Sequence, residues 1–163
     1  MSLTSAAALA NVLNFVMFIL IAVWYVAPWL ANRPRAEALT PLLWTHALRD
    51  IALQIFSAQK FGFAVSDGAR DQIAAGDVIC TILAVGAIAA LRYRARIALP
   101  LVWLFVAESA FDLVYSSLLG VREQLYESAS AVTFLIVAFY VPLLWVTLGF
   151  ILWQLYARRH EPL

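Results

Sequence analysis

Polar and ionisable side chains recur inside stretches of this sequence that are otherwise strongly apolar. In one stretch, His46, Arg49, Asp50 and Gln54 follow at i, i+3, i+4 and i+8, so a helix would carry all four on one face. A histidine beside a carboxylate is suited to proton transfer, whereas a guanidinium or an amide is suited to holding a polar head group. We therefore take His46 and Asp50 as candidate catalytic groups, and Arg49 and Gln54 as candidate ligand-binding groups.

Carboxyl groups stand in two further apolar stretches. Glu108 and Asp112 are one helical turn apart, and Tyr115 follows on the same side. Because like charges at this spacing repel each other, this pair is the best candidate for a protonated carboxyl group. Glu108 and Asp112 are therefore further candidate catalytic groups, and either would act as the general acid if the protein is an enzyme. Asp77, in a separate stretch, and Tyr115 are candidate ligand-binding groups, and Trp103 is expected to contribute an apolar wall.

The charges of these groups do not balance. Arg49 is the one cation that the sequence places at this depth, and it faces up to four carboxyl groups, those of Asp50, Asp77, Glu108 and Asp112. Ionisable groups inside a membrane are costly and mark functional sites by default. We infer that at least one carboxyl group is protonated, faces water or binds a cation. The opposing interpretation is structural: Arg49 pairs with a carboxylate and fixes the order of the helices.

No metal site is predicted, and the identity of any cofactor is left open. The sequence lacks the paired Glu-x-x-His pattern of di-iron bundles, and its second histidine, His160, falls in the polar tail. Cys80 is the single cysteine, which excludes an intrachain disulfide and a CxxC redox centre.

The elements that carry these residues are expected to be membrane helices. Of the 163 residues, 64% are hydrophobic and only 13% are charged, and the mean hydropathy is +0.87. A soluble domain of this size has too little interior to hide that much apolar surface. The composition excludes a soluble enzyme, a disordered chain and a nucleic-acid-binding module, and a net charge of +1 creates no field that would attract nucleic acid.

Four apolar stretches reach the length that a membrane-spanning helix needs, which is about 20 residues. They are residues 5–30, 72–91, 97–119 and 131–156. A fifth helix is predicted to begin with Thr40 as N-cap and Pro41 as first helical residue, and to run to about Ser57. This helix is short and carries the polar face, so it either spans the membrane or forms a re-entrant segment.

The first and last spans contain polar or helix-breaking residues that we assign to packing. Pro142 lacks an N–H group, so we expect it to kink the last span and to free the carbonyl of Ala138. Asn11 and Asn14 lie one turn apart on the first span and are expected to bond to a neighbouring helix, as polar side chains do in membranes.

The distribution of basic residues favours five spans. With the N-terminus outside, seven basic residues fall on the cytoplasmic side and three, Lys60, Arg70 and Arg122, fall outside. With four spans and both termini inside, five fall inside and six outside, against the positive-inside rule. We predict one all-α domain over residues 1–163, a polytopic bundle of five transmembrane helices in a bacterial-type inner membrane, with its C-terminus in the cytoplasm. Four spans plus a re-entrant helix are the alternative.

The predicted function is the binding or transport of a small amphipathic ligand, a cation or protons by the intramembrane His/Arg/carboxylate cluster. One alternative is an intramembrane enzyme that acts on a lipid-like substrate of the sterol or isoprenoid type by acid–base chemistry. Another is an accessory subunit of a larger membrane complex. The expected partners are the lipid bilayer and the ligand, without nucleic acid, and a homo-oligomer or a larger complex is left open.

Overall fold

The computed structural model describes residues 2–129 and 131–161. Over these residues the chain is all-helical and contains no strand, as the composition predicts. Four helices are long and apolar enough to cross a membrane: Leu3–Ala31, Asp67–Arg92, Ala98–Arg122 and Ala131–Ala157. In chain order the helices are α1 (Leu3–Ala31), α2 (Arg35–Ala47), α3 (Ile55–Lys60), α4 (Asp67–Arg92), α5 (Ala98–Arg122), α6 (Leu125–Ser128) and α7 (Ala131–Ala157).

The segment between α1 and α4 differs from its prediction at its start. Helix α2 begins at Arg35, after an extended Pro34, and Pro41 lies inside the helix. Thr40 is not an N-cap, since its hydroxyl donates to the carbonyl of Ala36 at 2.8 Å. The predicted start at Thr40 and Pro41 is therefore wrong. A helix continues through proline at the cost of one backbone hydrogen bond, and the extended residue before Arg35 already sets the boundary.

The same segment is not one continuous helix. Helix α2 ends at Ala47, a 3-10 helix occupies Arg49–Gln54, and α3 follows at Ile55. A 3-10 turn winds more tightly than an α-helix, so it changes the direction in which the next side chains point. This break decides which members of the predicted polar face point inward.

The segment nevertheless runs from one end of the bundle to the other. At its start, Arg35 donates to the carbonyl of Leu155 in the last turn of α7, at 3.1 Å. Just beyond α3, the backbone N–H of Ala64 donates to the hydroxyl of Ser128, which precedes α7, at 3.2 Å. Because the two contacts lie at opposite ends of α7, the segment covers the full height of the bundle.

Helix α7 contains a π-helical turn at Ile136–Tyr140, and two side chains of α1 bond to it. Asn14 donates from Nδ2 to the carbonyl of Ala138 at 2.8 Å, and Asn11 donates to the carbonyl of Val137 at 3.0 Å. The carbonyl that Pro142 was expected to free is thus bonded by a side chain from the neighbouring helix. Both asparagines contact the other helix, as predicted.

Two arginines tie the end of α7 to the end of α1 and to the start of α2. Arg158 donates to the carbonyls of Arg33 and Ala31, at 2.6 and 2.8 Å, just past the end of α1. Arg35, of which only 4% is exposed, donates in return to Leu155 near the end of α7. The last carbonyls of a helix lack intrahelical partners and carry partial negative charge, so guanidinium groups are suitable caps.

Helices α4 and α5 pack as an antiparallel pair through small side chains. Cys80, Ala84 and Ala87 of α4 are fully buried. Helix α4 begins after Ser66, whose hydroxyl accepts from the N–H of Ala69 at 3.3 Å and so caps the helix. Small residues let the two backbones approach closely, which brings the polar groups of both helices within bonding distance.

Candidate functional site

Arg49 is the centre of a buried polar cluster. Its side chain is only 2% exposed, and it reaches three partners on two other helices. Nε donates to Oδ1 of Asp77 at 2.6 Å, Nη1 donates to the hydroxyl of Ser109 at 3.0 Å, and Nη2 forms an ion pair with Oδ2 of Asp112. We call Arg49, Asp77, Ser109 and Asp112 the arginine cluster.

The break after α2 presents Arg49 to the two helices that carry its partners. Asp77 lies on α4, while Ser109 and Asp112 lie three residues apart on one face of α5. Gly76 makes the close approach possible, because a Cβ atom at this position would overlap the carboxylate of Asp112. A glycine beside Asp77 therefore lets Arg49 bind both carboxylates at once.

His46 joins the arginine cluster through Ser109. Nδ1 of His46 lies 3.5 Å from the hydroxyl of Ser109, and Nε2 lies 3.0 Å from the hydroxyl of Thr147 on α7. The Thr147 hydroxyl donates to the carbonyl of Leu143 at 2.8 Å, so it accepts from His46. The Ser109 hydroxyl accepts from Arg49, so its proton is free for Nδ1. These partners assign a neutral imidazole with its proton on Nε2.

A cavity opens on one side of the cluster. It holds about 890 Å³ of empty space between its walls, including the part that opens outward. Arg49, Asp77 and Gln54 lie on its surface, together with Ser116 and Ser117 of α5. The rest of the wall is mainly apolar and aromatic, with Ile55, Phe63, Ile73, Leu113, Leu125, Tyr126, Ile136, Val137, Tyr140, Val141 and Leu144. The cavity therefore combines a charged end with apolar walls.

The two carboxylates of the cluster differ in their relation to the cavity. Asp77 borders the cavity, and among the described residues no donor reaches its Oδ2 atom. Asp112 is 4% exposed and does not line the cavity, and the hydroxyl of Ser116 donates to its Oδ1 at 3.4 Å. Asp77 is consequently the carboxylate that a bound molecule would meet.

Only part of the predicted set converges on this site. Arg49, Gln54, Asp77 and Asp112 lie at the cavity or in the arginine cluster, and His46 is linked to them through Ser109. Asp50 is exposed, although it directly follows the buried Arg49 on the 3-10 turn. The predicted polar face is therefore divided between the interior and the surface.

Glu108, Trp103 and Tyr115 lie elsewhere on α5. Glu108 is half-buried and makes no ion pair with any residue in the described part of the chain. Trp103 packs edge-to-face against Tyr156, with ring centroids 5.6 Å apart. Tyr115 donates to Gln72 at 2.9 Å on the outer surface of the α4–α5 pair. None of the three borders the cavity.

Sequence reasoning missed the small polar residues that complete the network. Ser109 lies three residues before Asp112, a spacing that could have indicated a shared face. Gly76 directly precedes Asp77, which could have suggested a close helix approach. Thr147 carries no such signal. Across residues 2–129 and 131–161, no group of three or more His, Cys, Asp or Glu is placed to hold a metal ion.

The architecture and the site define an all-helical bundle, with four helices compatible with membrane insertion, built around a buried arginine that binds two aspartates. Residues 6–156 match the model of a protein family described as a domain of unknown function (DUF8737), and the chain belongs to this family. No curated protein and no solved structure matches the chain. The site itself is therefore the basis for any function.

Proposed function

We propose that this chain is an integral membrane protein whose cavity binds a small amphipathic ligand. The proposal rests on one observation: a single cavity has a charged end, at Arg49 and Asp77, and mainly apolar walls. Ligand sites are typically concave and mostly apolar, with a few polar groups that fix orientation. The charged end would hold a head group, and the apolar walls would hold a hydrophobic body.

We further propose five spans, with the N-terminus outside and the C-terminus in the cytoplasm. Two observations support this topology: the segment over residues 35–60 covers the full height of the bundle, and seven basic residues gather at the end where α1 and α7 finish. The bacterial type of the membrane stays a prediction.

Cysteine labelling tests the topology. Single cysteines replace Arg33 and Lys60, both exposed, in a chain that also carries Cys80→Ala. An impermeant maleimide applied to sealed membranes should label the Lys60→Cys variant directly and the Arg33→Cys variant only after permeabilisation. Labelling of both from the same side would refute five spans and favour the re-entrant alternative. Arg122→Cys is the control, because either topology places it outside with Lys60.

Filling the cavity tests ligand binding. Gly120 lines the cavity, and a Cβ atom added there meets no atom within 4 Å, so Gly120→Leu should grow into the empty space. Gly149 also has open space around its Cβ, but it is exposed on α7, which makes Gly149→Leu a matched control.

Native mass spectrometry of the protein purified in mild detergent supplies the readout. Wild type and Gly149→Leu should retain a stoichiometric small molecule other than bulk lipid, and Gly120→Leu should lose it. Equal retention by all three would place the molecule elsewhere, and absence from wild type would refute a stably bound ligand.

The enzyme hypothesis has less geometric support. A general base must reach the proton that it abstracts, but His46 is fully buried between Ser109 and Thr147 and does not border the cavity. Asp50 and Glu108 do not border it either. Transport, an accessory role and homo-oligomerisation stay predictions, and a binding site is the first requirement of transport.

A further inference from the structure

The arginine cluster carries more negative than positive charge. One guanidinium faces two carboxylates, and Arg49, Asp77 and Asp112 are 2%, 8% and 4% exposed. If both aspartates were ionised, the cluster would hold a net charge of −1 in a largely buried site. An uncompensated buried charge is strongly unfavourable, and such groups neutralise or acquire a partner.

No second cation in the described part of the chain supplies the missing charge. Arg49 is the only basic residue among the described residues that line the cavity. His46 donates to Thr147 and accepts from Ser109, as a neutral imidazole does. The other titratable groups whose charges act on Asp77 or on its neighbours would add negative charge or none: Asp50, Cys80, Glu108, Asp112 and Tyr140.

The hydrogen bonds show where a compensating positive charge would bind. Asp112 has both oxygens occupied, by Arg49 and Ser116, and lies against Gly76 outside the cavity lining. Asp77 has Oδ1 bonded to Arg49, while Oδ2 has no donor among the described residues and belongs to a residue on the cavity wall. Oδ2 of Asp77 is therefore the acceptor open to a proton or to a cationic group.

The cavity wall also suits a cation. Three aromatic side chains, those of Phe63, Tyr126 and Tyr140, are among the residues that line the cavity, and aromatic rings attract organic cations. Burial raises the pKa of Tyr126, so its hydroxyl stays neutral at physiological pH. The Tyr140 hydroxyl donates to the carbonyl of Thr45 at 2.7 Å, which fixes its ring in the wall.

We propose that the ligand is an amphiphile with a monovalent organic cation as head group, such as a protonated amine or a quaternary ammonium, and that this cation exchanges with one proton at Asp77. This inference rests on the proposed ligand-binding function. In the empty protein a proton on Asp77 neutralises the cluster. When the cation enters, that proton leaves to solvent, and the ion pair between cation and carboxylate takes its place with no change in net charge.

The test compares two probes that share a hexyl chain, in protein reconstituted into lipid nanodiscs. Hexyltrimethylammonium carries a cationic head, and hexanol carries a neutral one. Calorimetric titration in two buffers of different ionisation enthalpy gives both the affinity and the number of protons released. We expect preferential binding of the cation, release of about one proton, and an affinity that falls by up to about tenfold per pH unit as the solution is acidified.

Two variants distinguish an effect of Asp77 from an effect of negative charge elsewhere on the same helix. Asp77→Asn should lose the preference for hexyltrimethylammonium and release no proton, while hexanol binding persists. Asp71→Asn is the matched control, because Asp71 lies on the same helix but is exposed and paired with Arg70. It should behave as wild type.

The failures of the two proposals are distinguishable. Equal affinity of wild type for both probes, or cation binding without proton release, overturns the exchange at Asp77 and leaves the ligand-binding function standing. Binding of neither probe by wild type refutes the ligand-binding function itself. If Asp77→Asn fails to fold, the proton count and pH dependence of wild type still decide the question.

Discussion

Replacing Asn14 by leucine should lower the free energy of unfolding, because the carbonyl of Ala138 loses a hydrogen-bond donor. Asn14 Nδ2 donates to this carbonyl at 2.8 Å, and Ala138 is 2% exposed, so water is a poor substitute. Interhelical hydrogen bonds in membranes contribute about 0.6 kcal/mol on average and up to about 1.7 kcal/mol. Because Pro142 has no N–H for this carbonyl, we expect a cost near the upper end, about 1.5 kcal/mol, or roughly tenfold in the unfolding equilibrium.

The proline makes the prediction specific. In a Pro142→Ala background, residue 142 regains an N–H that can donate to Ala138. Asn14→Leu should then cost only about 0.5 kcal/mol, and the double-mutant cycle should show a coupling of about 1 kcal/mol. Asn32→Leu is the matched control, since Asn32 donates to Pro28 within its own helix at 3.0 Å, and its cost should be the same in both backgrounds.

The assay is equilibrium unfolding in mixed micelles of increasing SDS content. Cys80 is the single cysteine and is fully buried, so its alkylation reports the unfolded fraction directly. An equal cost of Asn14→Leu in the proline and alanine backgrounds would show that the bond does not compensate for the proline. That result would refute the idea that Asn14 takes the place of the N–H group that Pro142 lacks.

Three further predictions concern the arginine cluster and its surroundings. Gly76→Ala should lower the free energy of unfolding by about 1–3 kcal/mol through overlap with Asp112, whereas Gly86→Ala, with open space at its Cβ, should not; SDS titration distinguishes them. Arg49→Met should cost about 3–5 kcal/mol by leaving the buried carboxylate of Asp112 unpaired, and adding Asp112→Asn should recover part of that loss; full additivity would contradict the ion pair. Cys80 should resist a small membrane-permeant maleimide until the bundle unfolds, and rapid alkylation in native membranes would contradict its burial.

Hydropathy identified the four long apolar helices because length and apolar composition are properties of the local sequence. The predicted spans over residues 72–91 and 97–119 fall within α4 and α5, apart from one residue at the start of the second, and charged residues at their ends mark the boundaries. The sequence contains no comparable signal for the break after α2. Residues 48–54 contain neither glycine nor proline, so nothing local distinguishes a 3-10 turn from a continued α-helix.

The sequence placed Arg49 and Asp50 on one polar face, but in the structure Arg49 is buried and Asp50 is exposed. On α5, spacing alone could not decide whether Glu108 or Ser109 accompanies Asp112 toward Arg49. The packing of α4 against α5 selects Ser109, and packing depends on contacts distant in sequence. The predicted excess of carboxyl groups over cations is present in the structure, but it involves two carboxyl groups, those of Asp77 and Asp112, instead of four.

The reciprocal arginine caps have a consequence for biosynthesis. Arg35 emerges from the ribosome with α2, but its partner carbonyl at Leu155 follows 120 residues later. Arg158, which caps the end of α1, is also synthesised late. During translation the guanidinium of Arg35 must therefore stay solvated until the carbonyl of Leu155 is available. Closure of this end of the bundle is thus a late event, and a chain arrested before α7 would leave the end of α1 uncapped and Arg35 without its carbonyl partner.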